Sequence, residues 1–283
     1  MDRTTEIIKT ENTGHNIGYV HSLQSMGAVD GPGIRYCVFL QGCPLRCMYC
    51  HNPDTWLVQD SSTGKYFGTE YTAEELVEKI LRYKTYFANG GGVTVSGGEP
   101  LVQAEFVTEL FALLHKEGIH TCLDTSGNFP EDISELEDES LSVSNNAKVI
   151  SINKTNPLRE KYNRLLSVTD LVICDIKFTT EKDYRQFTGG SLNKVRYFLD
   201  MVTGKSIPLW IRHVVVPGYT DSEEEVKTMV EIARSYPTLE KIELLPFHKL
   251  CIPKYEALGI PFKCKDIPEC SKETIEKLES LCI

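Results

Sequence analysis

The sequence predicts an α/β fold on a parallel sheet of about six strands, and three observations predict it. Six segments are rich in apolar and β-branched residues (36–40, 92–96, 120–125, 171–176, 209–216 and 241–247), mostly as the continuous runs buried on both faces of a parallel sheet. Helical patterns lie between most of them, and that alternation implies βαβ units. The length of 283 residues suits one large domain, while six strands are too few to close an eight-stranded barrel. A partial, open barrel and a doubly wound sheet both satisfy this. Either gathers chemistry at the C-terminal ends of the strands.

In chain order, residues 1–18 are polar and read as a disordered extension, followed by a single domain over 19–283. The extension lacks the apolar core of a secretory signal and carries Asp2, Glu6 and Glu11, against the acid-poor habit of transit peptides. Asp30-Gly31-Pro32-Gly33, all turn residues, precede the first strand. Thr72 with Glu75 reads as a capping box, opening a helix whose buried stripe is Leu76, Ile80, Tyr83 and Phe87. A second helix over 101–117 buries Phe106, Leu110 and Leu113 and stops before Gly118. Segment 129–157 is acidic, then Ser/Asn-rich, and reads as a surface insertion, with a docking site for a protein partner as the alternative. The crossovers at 181–187 and 193–202 have weaker patterns. A helix after Asp221 carries Val226, Met229 and Ala233, and Ser271 caps a last helix carrying Ile275, Leu278 and Leu281.

Composition narrows the function. Hydrophobic residues at 41% and charged residues at 25% describe a soluble globular chain. A formal charge of −10 argues against nucleic-acid binding, which needs a basic face. No apolar run approaches the roughly 18 residues of a membrane span. A cytoplasmic chain is expected, and its ten cysteines should be thiols, metal ligands or catalytic groups rather than disulfides.

Cys43, Cys47 and Cys50 stand as Cys-x3-Cys-x2-Cys just after the first strand. Structural zinc would need His51 as fourth ligand, and adjacent Cys50 and His51 have difficulty meeting one tetrahedral ion. Covalent haem would use Cys47 to His51, but belongs to exported proteins and leaves Cys43 unexplained. Three buried thiols are the plain alternative. A [4Fe–4S] cluster with three protein thiolates leaves one iron open for a small molecule.

The loop Gly42-Cys43-Pro44-Leu45-Arg46-Cys47-Met48-Tyr49-Cys50-His51-Asn52 resembles the cluster loop of radical S-adenosylmethionine enzymes. Further blocks resemble the activating enzymes of glycyl radical enzymes, of the pyruvate formate-lyase type: Asp30 to Arg35, Cys50 to Trp56, Gly90 to Glu99, Gly118 to Thr125, Trp210 to Gly218 and Glu243 to His248. The resemblance runs from about Gly18 to Gly259. It implies the partial, open parallel β/α barrel. It implies a [4Fe–4S] cluster on Cys43, Cys47 and Cys50 that cleaves S-adenosylmethionine to methionine and a 5′-deoxyadenosyl radical, which abstracts a glycine α-hydrogen from pyruvate formate-lyase.

The same resemblance distributes roles. Tyr49, with Cys50 and His51, faces the adenine, and Gly97, Gly98 and Glu99 bind the amino end of S-adenosylmethionine. Asp175, Ile176 and Lys177 lie near its amino-acid portion, and His248 near the adenosine. Arg212 holds the methionyl carboxylate or the substrate backbone. Asp30 helps to seat the substrate peptide. A monovalent cation is implied on Asp124, Thr125 and Asp175. A plain Asp175–Lys177 pair is the alternative there, since a carboxylate on an apolar strand is costly unless paired. Ile173 departs from the family's frequent Met. Flavodoxin or ferredoxin is the implied electron donor, and a monomer is expected. Cys251, Cys264, Cys270 and Cys282 read as scattered thiols rather than a second cluster, and the Cys-free stretch 56–89 favours the compact type. The competing functions are activation of another glycyl radical enzyme and non-enzymatic iron–sulfur electron carriage.

Overall fold

In a computed structural model of the chain, residues 16–136 and 156–282 are described. Most of the expected extension over 1–18 and most of the acidic segment 129–157 lie outside the described residues.

All six expected strands form. They are β2 (Arg35–Leu40), β4 (Gly92–Gly97), β5 (His120–Thr125), β6 (Leu171–Asp175), β7 (Leu209–Val215) and β8 (Leu239–Pro246). They lie side by side in that order, every pair parallel. Two further strands, β1 (Gly18–Gly27) and β3 (Thr69–Tyr71), extend the sheet antiparallel beyond β2, in the order β3-β1-β2. Neither was expected from the sequence. β1 buries few of its residues and breaks register twice, with Met26 at φ 63, so it carries no clean two-residue period. β3 is three residues long and largely exposed. The sheet has β3 at one edge and β8 at the other, an open and mostly parallel α/β arrangement.

The helices are α1 (Ala73–Leu81), α2 (Ala104–Lys116), α3 (Ile133–Leu136), α4 (Pro157–Ser167), α5 (Glu181–Thr188), α6 (Leu192–Gly204), α7 (Glu223–Arg234), α8 (Ile252–Leu258) and α9 (Lys272–Glu279). Local chemistry starts them. Thr72 and Glu75 close the expected capping box on α1, and Ser271 caps α9. Ser222, one residue after Asp221, caps α7. The two weak crossovers are regular helices, α5 and α6, capped by Thr180 and Ser191. Tyr83 and Phe87 fall beyond α1, where Lys84–Phe87 forms a 3-10 turn.

The period-two alternation sorts side chains between the two faces of the sheet. Val38, Val95, Leu123, Val172 and Ile211 join the large core shared with the helices. Cys122, Leu171, Ile173 and Trp210 form a separate small apolar cluster. Two residues further along the same strands stand Asp124, Asp175 and Arg212, so an apolar floor gives way to charged side chains at the strand ends. Arg35 is fully buried near the strand starts. It donates to Thr94 Oγ1 at 2.9 Å, and Thr94 Oγ1 donates to the Asp30 carbonyl at 2.6 Å, which ties the loop before β2 to β4.

Candidate active site at the strand ends

The loop leaving β2 carries the three cysteines and is pinned by its backbone. Gly42 N donates to Thr55 O (2.7 Å) and Cys43 N to Trp56 O (3.1 Å), while Arg46 N and Met48 N donate to Thr188 O and Phe187 O of α5 (2.7 and 2.9 Å). The end of β4 presses close to the end of β2. Gly97 has φ 110, and a Cβ there would lie 2.2 Å from Leu40 N, so only glycine fits.

The thiols of Cys43, Cys47 and Cys50 are free and line one cavity of about 490 Å³. Tyr49 and His51 line it beside them. Gly97 and Gly98 supply the wall from β4, and Asp124 and Thr125 the wall from β5. Asp175 and Lys177 follow from β6, Arg212 from β7, His248 from beyond β8, and Asp30 from the loop before β2.

Two expected site residues are not in that lining. Glu99 is fully buried behind the Gly97-Gly98 turn. Its oxygens accept from Thr125 Oγ1 (2.5 Å), Ser126 N (2.8 Å), Ser126 Oγ (2.5 Å) and Leu101 N (3.1 Å), so it fastens the turn to the end of β5. Ile176 is also buried, with its backbone occupied: its N donates to Arg212 O (3.0 Å) and its carbonyl accepts from His213 Nδ1 (2.6 Å).

The charges are paired, once at the end of β6 and otherwise across strands. Lys177 Nζ lies 2.7 Å from Asp175 Oδ2, the plain pair that the sequence offers as one alternative. Arg212 donates to Glu243 Oε2 (2.9 Å), Asp124 Oδ2 (3.5 Å) and the Val29 carbonyl (2.5 Å). Burial raises the Asp124 carboxyl to about 6; Arg212 opposes the rise and Asp175 adds to it. Burial works against the Lys177 charge, but the Asp175 carboxylate outweighs it and holds the pKa well above the usual range. Burial pushes the Cys47 thiol up to about 12 and raises Cys43 and Cys50, so without metal these are neutral thiols.

Among the described residues, no three His, Cys, Asp or Glu side chains close on a single metal ion. Three thiols spread along one cavity wall suit a multi-iron cluster better than one zinc. Packed edge-on against His51 at 4.0 Å between ring centroids, His248 has a buried Nδ1 with no hydrogen-bond partner among the described residues, a polar atom free to meet a ligand. The donor set and the cavity therefore fit a cluster together with a small polar cofactor.

Several contributors were not singled out from the sequence. Ser96 Oγ donates to Asp124 Oδ2 (2.8 Å), and Glu243 anchors Arg212. Trp56 Nε1 donates to Cys50 Sγ (3.3 Å). Tyr255 Oη and Cys264 Sγ donate to the carbonyls of Cys50 (3.1 Å) and Met48 (3.2 Å), so the C-terminal region braces the cysteine loop from behind. The strand period would have revealed Ser96, two residues before Gly98 on β4. Tyr255 and Cys264 lie more than 200 residues from their partners and carry no local signal.

Comparison with known proteins agrees with this geometry. A family described as "4Fe-4S single cluster domain" matches residues 29–196. Over 260 residues the chain is 40% identical to the pyruvate formate-lyase-activating enzyme of Staphylococcus aureus strain USA300, covering 92% of each chain. The enzyme of that name from strain NCTC 8325 / PS 47 matches to the same extent. Among solved structures, a radical SAM methyltransferase from Sphaerobacter thermophilus shares the fold with a TM-score of 0.53 at 13% identity, over 88% of this chain and 63% of that one.

Proposed function

The chain belongs to the family of pyruvate formate-lyase-activating enzymes, and from that membership we propose that it installs a glycyl radical on a pyruvate formate-lyase. The observation that carries this reading is the cavity that joins three free thiols to the charged side chains of three parallel strands, β5, β6 and β7. A [4Fe–4S] cluster and S-adenosylmethionine, bound there, supply reductive cleavage to methionine and a 5′-deoxyadenosyl radical, which takes a hydrogen atom from the glycine α-carbon.

The chain's own residues hold and orient. Cys43, Cys47 and Cys50 are the cluster ligands. Gly97 and Gly98 bring backbone close to the cofactor's amino end, and Glu99 keeps that turn in place from behind. Lys177 and Asp175 stand where the amino-acid portion would lie, with Tyr49, His51 and His248 on the adenosine side. Ile176 contributes through a backbone clamped by Arg212 and His213. Arg212 fixes the Val29 carbonyl, which sets Asp30 at the cavity for the substrate peptide. Asp124, Thr125 and Asp175 are the candidate ligands for a monovalent cation. The open sheet, ending at β3 on one side and β8 on the other, supports entry of a protein segment at the strand ends.

One electron per turnover must come from outside, and flavodoxin or ferredoxin is the donor we favour. We read residues 19–283 as one domain, acting as a cytoplasmic monomer without nucleic acid. Among the described residues no helix is long and apolar enough to cross a membrane. The test is activation of pyruvate formate-lyase beside other glycyl radical enzymes, with S-adenosylmethionine and dithionite. A glycyl radical on pyruvate formate-lyase at the highest rate supports the reading. A radical only on another enzyme reassigns the substrate.

A further inference from the structure

Two hydrogen-bond donors approach the cysteine loop at positions that its ligand role leaves unexplained. The first is Trp56, whose indole N–H points at Cys50 Sγ from 3.3 Å. Its ring is held on both sides. The Arg46 guanidinium lies 4.9 Å from the ring centroid, and Tyr255 meets it edge-on at 6.1 Å. The Trp56 carbonyl accepts from Cys43 N at 3.1 Å, so one residue engages the first and last cysteines of the loop.

The second is Tyr184 on α5. It is fully buried, and its hydroxyl has no hydrogen-bond partner among the described residues. Leaving such a group unsatisfied in the interior is costly, so a partner in the loaded protein is expected. α5 lies directly against the loop, because Thr188 O and Phe187 O accept from Arg46 N and Met48 N, the residues on either side of Cys47. Tyr184 is one turn before Thr188 on the same helix face, and Thr188 Oγ1 donates to the Tyr184 carbonyl at 2.5 Å. Its ionisable neighbours are Lys177, Cys174, Cys47 and Tyr49. Lys177 is a cation and cannot accept, and of the other three only Cys47 becomes an iron-bound thiolate when the cluster loads, which makes its sulfur the strongest acceptor of the set.

We propose that Trp56 and Tyr184 hydrogen-bond the ligand sulfurs of Cys50 and Cys47 in the cluster-loaded protein and thereby raise the cluster's reduction potential. A neutral thiol is a weak acceptor, whereas an iron-bound thiolate carries charge and binds a donor more strongly. Donors to the sulfurs favour the reduced, more negative cluster, and this is an established lever on cluster potential. The inference rests on the cluster assigned above. Both are positioning residues that act through the cysteines.

The experiment is a redox titration of the reconstituted protein followed by electron paramagnetic resonance, with Trp56→Phe, Tyr184→Phe and both together, at matched iron content. Each single variant keeps its ring and loses one donor. At the wild-type midpoint, each is expected to show about a threefold lower ratio of reduced to oxidised cluster, which is roughly 28 mV at 59 mV per tenfold. The double variant should show the product of the two effects. Unchanged midpoints at full iron content overturn the proposal. If the variants cannot hold a cluster, wild type labelled with [15N]tryptophan decides. Only Trp56 and Trp210 are present, and Trp210 lies in the apolar floor cluster. A 15N coupling to the reduced cluster supports the Trp56 bond, and its absence overturns the proposal. A wild-type protein that takes up no cluster refutes the assigned function itself, which is a distinct result.

Discussion

Arg212 donates to the Val29 carbonyl at 2.5 Å, so a residue of β7 fixes the loop before β2 that carries Asp30. The same guanidinium reaches Glu243 and Asp124, and its planar fork spans all three acceptors at once. A lysine ammonium cannot. Arg212→Lys should therefore lower glycyl-radical formation on the protein substrate by about tenfold, or ~1.4 kcal/mol. Uncoupled 5′-deoxyadenosine formation should fall by less. Measuring both products in one reaction separates the roles: an equal loss in both would place Arg212 on the cofactor rather than on the substrate loop.

Glu99 answers four donors from a fully buried position. Glu99→Ala strands the Ser126 and Thr125 donors, each worth about 1–3 kcal/mol. We expect urea unfolding of the metal-free protein to show a loss of roughly 3 kcal/mol or more. Weaker S-adenosylmethionine binding should accompany it in the reconstituted enzyme, because the Gly97-Gly98 turn is no longer tied to β5. A change under 1 kcal/mol would mean that the carboxylate is dispensable to the turn.

His213 gives a pH prediction. Its Nδ1 faces the Ile176 carbonyl, which only accepts, so that nitrogen carries the proton of the neutral ring. Burial lowers its pKa; the Ile176 carbonyl and Glu225 oppose this without reversing it. A depressed histidine stabilises the fold above its unfolded value of about 6.5, and that contribution is lost as pH falls toward the folded value. The stability difference between wild type and His213→Gln should therefore shrink on acidification below about 6.5. Denaturant unfolding at pH 7.5 and 5.5 measures it. A difference that stays constant would show that His213 does not titrate against folding.

Much of this was legible in the sequence because the signals were local. The parallel strands declare themselves as continuous apolar runs, and the spacing of Cys43, Cys47 and Cys50 marks a metal-binding loop whose cluster only the resemblance selects. Asp175 stands out as a carboxylate on an apolar strand, whereas Asp124 and Arg212 are singled out by the resemblance. What stayed hidden depends on distant contacts or on partly exposed strands. β1 and β3 have no clean period, and the donors Tyr255 and Cys264 meet the loop only after the chain folds back on itself. The resemblance makes Glu99 a cofactor contact together with Gly97 and Gly98, whereas its side chain turns away into the interior. α5 buries only Tyr184 and Thr188, too few to announce a helix, whereas α6 buries Leu192, Val195, Leu199 and Val202 at a helical period that was legible.

The most direct test of the central claim is the electron paramagnetic resonance spectrum of the anaerobically reconstituted, dithionite-reduced protein with and without S-adenosylmethionine. The account predicts a [4Fe–4S]⁺ signal that changes on adding the cofactor, with 5′-deoxyadenosine among the products, and no such signal in Cys43→Ala, Cys47→Ala or Cys50→Ala. A cluster indifferent to S-adenosylmethionine, or a cysteine variant with full turnover, would contradict it.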